Sequence, residues 1–362
     1  MTENHKILIK LISVALGHDS IELPTEEIDW KTVSELATQH EVDALAFDGY
    51  QQIHGLLGNQ SLSQEDLLEW IGQTLMQESQ YKQQLDYAKE LAVLYANKNI
   101  CTYILKGFSI AQYYPKPNHR FSCDFDCFLV KDRESAQEEG NKLVEERGVE
   151  VDKSYYKNSS FVFEGLPVEN HRYCCSIKRG KRTVNLESYL ESLLFYCLPE
   201  YLEGSKLALP PLLFQAIFLI EHACGHFLYE KMSIKNICDW ACFRKVNQNQ
   251  LDWNEFYKAS EKYSLLDFVY TMNNLADFIL GKSKYSELSK IDKRVLEDTL
   301  KNSYPPQNNM MQRLWKTIGI LRSGWKFRHF SGDSMIKELG HSAYSYLFEM
   351  DPSLGNYSVM FP

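Results

Sequence analysis

Through the first hundred residues the apolar side chains recur at helical spacing. Ile7, Leu8, Leu11, Ile12 and Leu16 share one face, and Trp30, Val33, Leu36 and Ala37 repeat the pattern in a second segment. Ser63 followed by Asp66 has the form of a capping box and predicts a long helix running through Leu67, Trp70, Ile71 and Leu75 toward Leu94. Near residue 100 the period shortens. The runs Cys101 to Leu105 and Phe128 to Val130 flank a connection stiffened by Pro115 and Pro117, and predict strands. A helix over 132–147 ends at Gly148, after which Ser160 to Phe163 and Leu166 to Ile177 resume strand character. The charged run Lys178 to Arg182 reads as a hairpin tip. From Pro210 the helical period returns. Leu212 to Leu228 is apolar on nearly all sides, as a central bundle helix should be, and a neighbour begins near Ser233. Further helices are predicted around 253–263, 265–280, 291–300, 310–321 and 334–348. The pattern predicts an α+β protein: a small mixed-sheet core over 99–200, an N-terminal helical region over 1–98 and a C-terminal helical domain over 205–362.

Composition narrows the setting. At 362 residues and 44% hydrophobic the chain can bury a large core, and a net charge of −9 argues against a protein that coats nucleic acid. The nine cysteines lie in apolar runs such as Cys174-Cys175 and Ala223-Cys224, which suits buried thiols in a reducing cytosol better than disulfides. No run of 18 consecutive apolar residues and no leader pattern occurs, so neither a membrane span nor a membrane partner is expected.

The chemistry concentrates in the middle block. Tyr103-Ile104-Leu105-Lys106-Gly107-Phe108-Ser109 reads as a strand entering a turn. In Cys123-Asp124-Phe125-Asp126-Cys127-Phe128, read as a strand, alternation puts Asp124 and Asp126 on one face. Two adjacent carboxylates in an apolar strand repel unless a cation lies between them, and a hard divalent ion suits oxygen ligands. A Lys-Gly turn, an Asp-x-Asp strand and a later carboxylate together suit nucleotidyl transfer, in which metal-bound acids neutralise migrating phosphoryl charge. The later carboxylate has two candidates, Glu169 and Glu187, with Glu169 preferred because it shares a strand face with His171. Arg120, entering the acidic strand directly, is the candidate phosphate contact.

The segment from Leu105-Lys106-Gly107 through Tyr114-Pro115, Arg120, Asp124-Phe125-Asp126, Leu129-Val130 and Glu169-Asn170-His171 resembles the uncharacterised nucleotidyltransferase family of bacterial proteins, within the polymerase-beta-like superfamily. Trp30 to Leu45 and the set His222, His226, Asp239 and Trp240 extend the likeness into the helical flanks. The resemblance implies a nucleotidyltransferase core in which Asp124, Asp126 and Glu169 are catalytic and hold Mg2+ or Mn2+. It puts Lys106, Gly107 and Ser109 near the triphosphate, with Arg120 and His171 counted among the nucleotide-binding groups. The co-substrate would be an NTP, ATP first, and the acceptor a hydroxyl on a small molecule, a protein or RNA. The chain departs from the superfamily pattern at Phe108, which separates Gly107 from Ser109, and in the long link carrying Pro115 and Pro117.

Rival readings stand beside this one. His222 and His226, four apart on a helix, offer a zinc site with Cys224 and Cys238 nearby in sequence, against which Cys224 points away from the histidines. Their bland reading is core or cleft lining. Residues 311–330 interleave Arg313, Lys316, Arg322, Lys326 and Arg328 with Trp315, Trp325, Phe327 and Phe330, either a nucleic-acid surface or a helix with its aromatic side buried. A catalytically inactive protein of the same fold, binding a protein or RNA partner, is the main alternative to an enzyme. No P-loop and no G-x-S-x-G elbow is present, which sets aside P-loop NTPases and α/β hydrolases.

Overall fold

In the computed structural model, residues 1–18, 27–179, 181–301 and 324–331 are described, together with 336, 337 and 340. The N-terminal helices are α1 (Glu3–Ala15), α2 (Trp30–Gln39), α3 (Asp43–Leu57) and the long α4 (Gln64–Ala96). Ser63 caps α4 as its sequence predicts, accepting from Asp66 N at 3.1 Å. The helices α1 and α3 approach so closely that a Cβ on Gly49 would lie 1.9 Å from Leu11 O, so only glycine fits there.

A mixed sheet follows: β1 (Cys101–Ile104), β2 (Phe125–Lys131), β3 (Glu134–Ser135), β4 (Asn158–Phe163), β5 (Leu166–His171), β6 (Glu200–Tyr201) and β7 (Leu207–Leu209). Its order is β4-β5-β2-β1-β7-β6, with β3 paired to β2. The strand β2 runs antiparallel to β1 and parallel to β5, and β1 runs parallel to β7. Short helices α5 (Phe108–Ala111) and α6 (Gln137–Glu145) leave β1 and β3. Alternation along β2 divides the sheet faces. Phe125, Cys127 and Leu129 join Ala88, Leu91 and Tyr95 of α4 in one apolar cluster, whereas Phe128 and Val130 pack into the larger core shared with both sets of helices. Asp126 lies on that second face, beneath the C-terminal helices.

Those are α7 (Lys181–Phe195), α8 (Leu212–Tyr229), α9 (Ile234–Val246), α10 (Trp253–Lys262), α11 (Leu266–Ile279), α12 (Lys290–Leu300) and α13 (Gly324–Phe330). The central helix α8 is long and apolar enough to cross a membrane, and 72% of it is buried inside the fold. Phe214, Phe218 and Phe227 on this helix are almost wholly enclosed, each contributing about 1.5–3 kcal/mol of burial.

Several expectations are corrected here. Lys178 to Arg182 is not a hairpin tip, because a 3-10 turn at Ile177–Arg179 leads into α7. The helix expected over 132–147 begins only at Gln137, since 132–135 turn back to form β3. The strand expected to reach Ile177 stops at His171. The sheet also recruits β7 from beyond residue 205. The helix predicted at 310–321 lies outside the described residues, as does most of that at 334–348. Arg313, Trp315, Lys316 and Arg322 fall there too. In the described part of the basic stretch, Phe327 and Phe330 are buried, and Lys326 is tied to Asp298 Oδ2 at 2.5 Å and Phe227 O at 3.0 Å. Lys326 and these aromatic rings are packing, whereas Arg328 is exposed.

Candidate active site

The parallel pairing of β2 with β5 sets Asp126 beside Glu169 and Phe128 beside His171. Paired residues share a face, so Asp126, Glu169 and His171 converge from two strands onto the face covered by the C-terminal helices. They form a cluster whose ligand atoms lie within 4.8 Å of one another, the one such acidic and imidazole group found among the described residues.

Asp126 is almost fully buried, at 1% exposure. Its Oδ1 accepts from His171 Nε2 at 2.8 Å, and its Oδ2 faces Lys106 Nζ at 3.1 Å. That Oδ2 contact is an ion pair without hydrogen-bond geometry, so a buried carboxylate oxygen keeps unused lone pairs. Burial opposes the charged form of Asp126, but Lys106 and His171 outweigh it and hold its pKa well below the usual carboxylate range. Burial likewise opposes the charged form of Lys106. The carboxylates of Asp126, Asp124 and Glu169 overcome that and raise its pKa.

His171 is used at both nitrogens. Nε2 lies 2.8 Å from Asp126 Oδ1 and 3.4 Å from Glu169 Oε2, and Nδ1 lies 3.2 Å from Tyr173 O. Acceptors on both sides call for two N–H groups, that is, an imidazolium. Its pKa accordingly rises despite burial, driven by the hydrogen bonds to Asp126 and Glu169. His171 therefore acts as a clamp on the carboxylates and not as a free ligand.

The other sequence candidates are placed as follows. β2 begins at Phe125, so Asp124 sits half-buried at the mouth of the strand and is not part of the tight cluster. Burial and the charge of Asp126 raise its pKa, which places it electrostatically at the site's edge. Gly107 forms the turn after β1 with φ +69°, and a Cβ there would lie 3.2 Å from Ser122 Oγ. Ser109 is buried within α5, and its Oγ has no hydrogen-bond partner. Arg120 is drawn away from the carboxylates and pairs with Asp239 in the interior. Glu187, the other candidate carboxylate, lies on α7. It accepts from Cys174 N at 2.8 Å and Cys175 N at 2.6 Å, with burial pushing its pKa up to about 7.

The zinc alternative is not assembled. His222 and His226 turn their Nε2 atoms toward each other at 2.9 Å, while Cys224 Sγ is directed at Phe330 O, 3.9 Å away. None of the nine cysteines, all within the described residues, forms a disulfide. Sequence reasoning missed a second ionic group, in which His119 lies 2.7 Å from both Asp48 Oδ2 and Glu78 Oε1, and Lys116 lies 2.6 Å from Asp48 Oδ1. Its members come from three places in the chain, and no local pattern announces them.

Between the strand hairpin and α8 lies a cavity of about 220 Å³. Glu169 and His171 form one wall; His222, His226 and Glu230 form the other.

A mixed sheet that clusters buried carboxylates with a lysine and an imidazolium beneath a helical cover defines a class of site suited to binding and neutralising phosphate-rich ligands through cations. The chain belongs to the uncharacterised nucleotidyltransferase family, whose model matches residues 26–281 and so spans α2 to α4, the sheet and the helices through α11. Comparison with curated proteins and with solved structures found no match.

Proposed function

We propose that this chain is a divalent-metal-dependent nucleotidyltransferase that moves a nucleoside monophosphate from an NTP, ATP first, to an acceptor hydroxyl. The observation that carries this reading is the buried Asp126 Oδ2, which accepts no hydrogen bond, set in register beside Glu169 in a chain of this family. All-oxygen donors suit Mg2+ or Mn2+, with Asp126 and Glu169 as the holding residues and Asp124 at the rim. When bound, the ion would neutralise phosphoryl charge.

The remaining work falls to the chain's own side chains. Lys106 brings a fixed positive charge beside the carboxylates, where it can follow the triphosphate. His171 prevents Asp126 from rotating, and Gly107 lets the chain turn sharply next to Ser122 and Asp124. Glu169, at 39% side-chain exposure, is the accessible acid of the cluster and is placed to take the proton of the attacking hydroxyl. The hydroxyl oxygen bonds to the α-phosphorus as the bond to pyrophosphate breaks. The free cysteines accord with a reducing cytosolic setting.

The test is titration of the full chain with Mg2+ or Mn2+ and labelled nucleotides. Saturable, metal-dependent binding that is lost in Asp124→Asn/Asp126→Asn supports the reading. Absence of binding, or binding indifferent to those substitutions, removes it. A second reading, an inactive protein of the same fold that binds a protein or RNA partner, draws on the Lys106 to Asp126 ion pair, in which an ammonium group supplies the counter-charge. Metal-independent nucleotide binding without pyrophosphate release would select it.

A further inference from the structure

The helix α8 and the residue that caps its C-terminus contribute a chain of three side chains to the cavity wall. Glu230 Oε2 lies 2.7 Å from His226 Nδ1, which fixes a proton on that nitrogen. In the tautomer that this contact selects, His226 Nε2 offers a lone pair. The 2.9 Å contact must therefore carry the proton of His222 Nε2. What is left is His222 Nδ1, an acceptor with no hydrogen bond among the described residues. Burial, followed by the charge of Lys106, pushes the pKa of His222 well down and favours its uncharged ring. His222 lines the same cavity as Glu169 and His171.

The opposite wall offers Glu169 and, from β4, Asn158 and Ser160. Ser160 pairs with Glu169 across the hairpin and so faces the same way. Lys157, Ser176 and Glu221 add further polar groups, so that apart from Gly225, the Tyr155 ring and two thiols the lining can hydrogen-bond. A cavity of about 220 Å³ falls below the roughly 300–1,000 Å³ of ordinary ligand pockets, and admits one small ring but not a nucleic-acid strand.

We propose that this cavity receives the acceptor, that the acceptor is a small polyhydroxylated molecule of the sugar or cyclitol class, and that His222 accepts a hydrogen bond from one of its hydroxyls opposite Glu169. The assignment of the ligand as acceptor rests on the nucleotidyltransferase reading above; its chemical class rests on the cavity alone.

The test is calorimetric titration of the full chain, in Mg2+, with glucose, glucosamine and myo-inositol as probes, and with ATP affinity measured in parallel. At least one probe binds the wild type. Ser160→Trp, which fills the cavity from the exposed strand side, weakens binding about tenfold or more, and so does His222→Phe. His222→Asn, which retains an acceptor atom, stays within about threefold of the wild type. Failure of all three probes to bind, or binding unaffected by both Ser160→Trp and His222→Phe, overturns the proposal. So does transfer of label from α-labelled ATP to RNA ends or protein with none to the polyols. Polyol binding that meets these criteria in a protein that binds no nucleotide keeps the cavity assignment and strikes down the nucleotidyltransferase reading instead.

Discussion

Arg120 donates two parallel hydrogen bonds to Asp239, Nε to Oδ1 at 2.8 Å and Nη2 to Oδ2 at 2.7 Å, and both side chains are buried. Tyr114 O–H adds a third bond to Asp239 Oδ1 at 2.7 Å. The pair bolts the segment that leads into β2 onto α9, and with it fixes how the helical cover meets the sheet.

Removing one partner strands the other charge in the interior. Asp239→Ala should cost roughly 3–5 kcal/mol in chemical denaturation. Arg120→Met combined with Asp239→Leu should recover much of that loss, because the desolvation penalty disappears with the charges. An Arg120→Lys variant with wild-type stability and weakened nucleotide affinity would instead return Arg120 to the phosphate.

His171→Gln should lower Mn2+ affinity about 10–100-fold, as the loss of groups that orient metal-binding carboxylates commonly does. The Mn2+ resonance signal in the presence of the protein measures it directly. Affinity equal to wild type would show that Asp126 holds its orientation unaided.

His119 gives stability a pH dependence of definite sign. Burial opposes its charge, but the bonds to Asp48 and Glu78 prevail, so its folded pKa lies above the ordinary 6.5. The contribution is fully present below pH 6.5 and is lost as pH rises through the folded-state value. Thermal midpoints across that range should fall more steeply for the wild type than for His119→Asn.

Glu187 also carries a raised pKa, about 7 against 4.5, and for an acid this means the folded state prefers the protonated form. Its contribution is most favourable below about pH 4.5 and declines as pH rises to 7. Glu187→Gln should flatten this slope. Glu187→Ala should cost about 1–3 kcal/mol for each of the two amides it strands at Cys174 and Cys175.

Much of this architecture is written locally. The spacing of Ile7, Leu8, Leu11 and Ile12 and the Ser63 cap specify helices that form as expected. Strand alternation was enough to place Glu169 and His171 on one face. The helix α7 was missed, because the charges of Lys178 to Arg182 read as a turn and drew attention from Leu186, Leu190 and Leu194, which are buried at intervals of four. Partners distant in sequence were not legible either. Nothing near Arg120 points to Asp239, and a basic residue beside an acidic strand reads as a phosphate contact until the fold supplies a carboxylate. Asp124 differs from Asp126 only in lying one residue outside the ladder, a boundary set by pairing and not by composition.

The hairpin joining β4 to β5 turns through Glu164 and Gly165, at φ +51° and +91°, with Phe163 opposite Leu166. Two left-handed residues make the tight connection whose twist suits a two-residue loop. Because side chains alternate, a one-residue change in that loop that slipped β5 against β2 would send Glu169 to the apolar face and leave Asp126 without its neighbour. The loop thus works as a distant alignment key: it touches no reactant, yet a chain with every site residue intact and this turn lengthened by one would have its acids on opposite sides of the sheet.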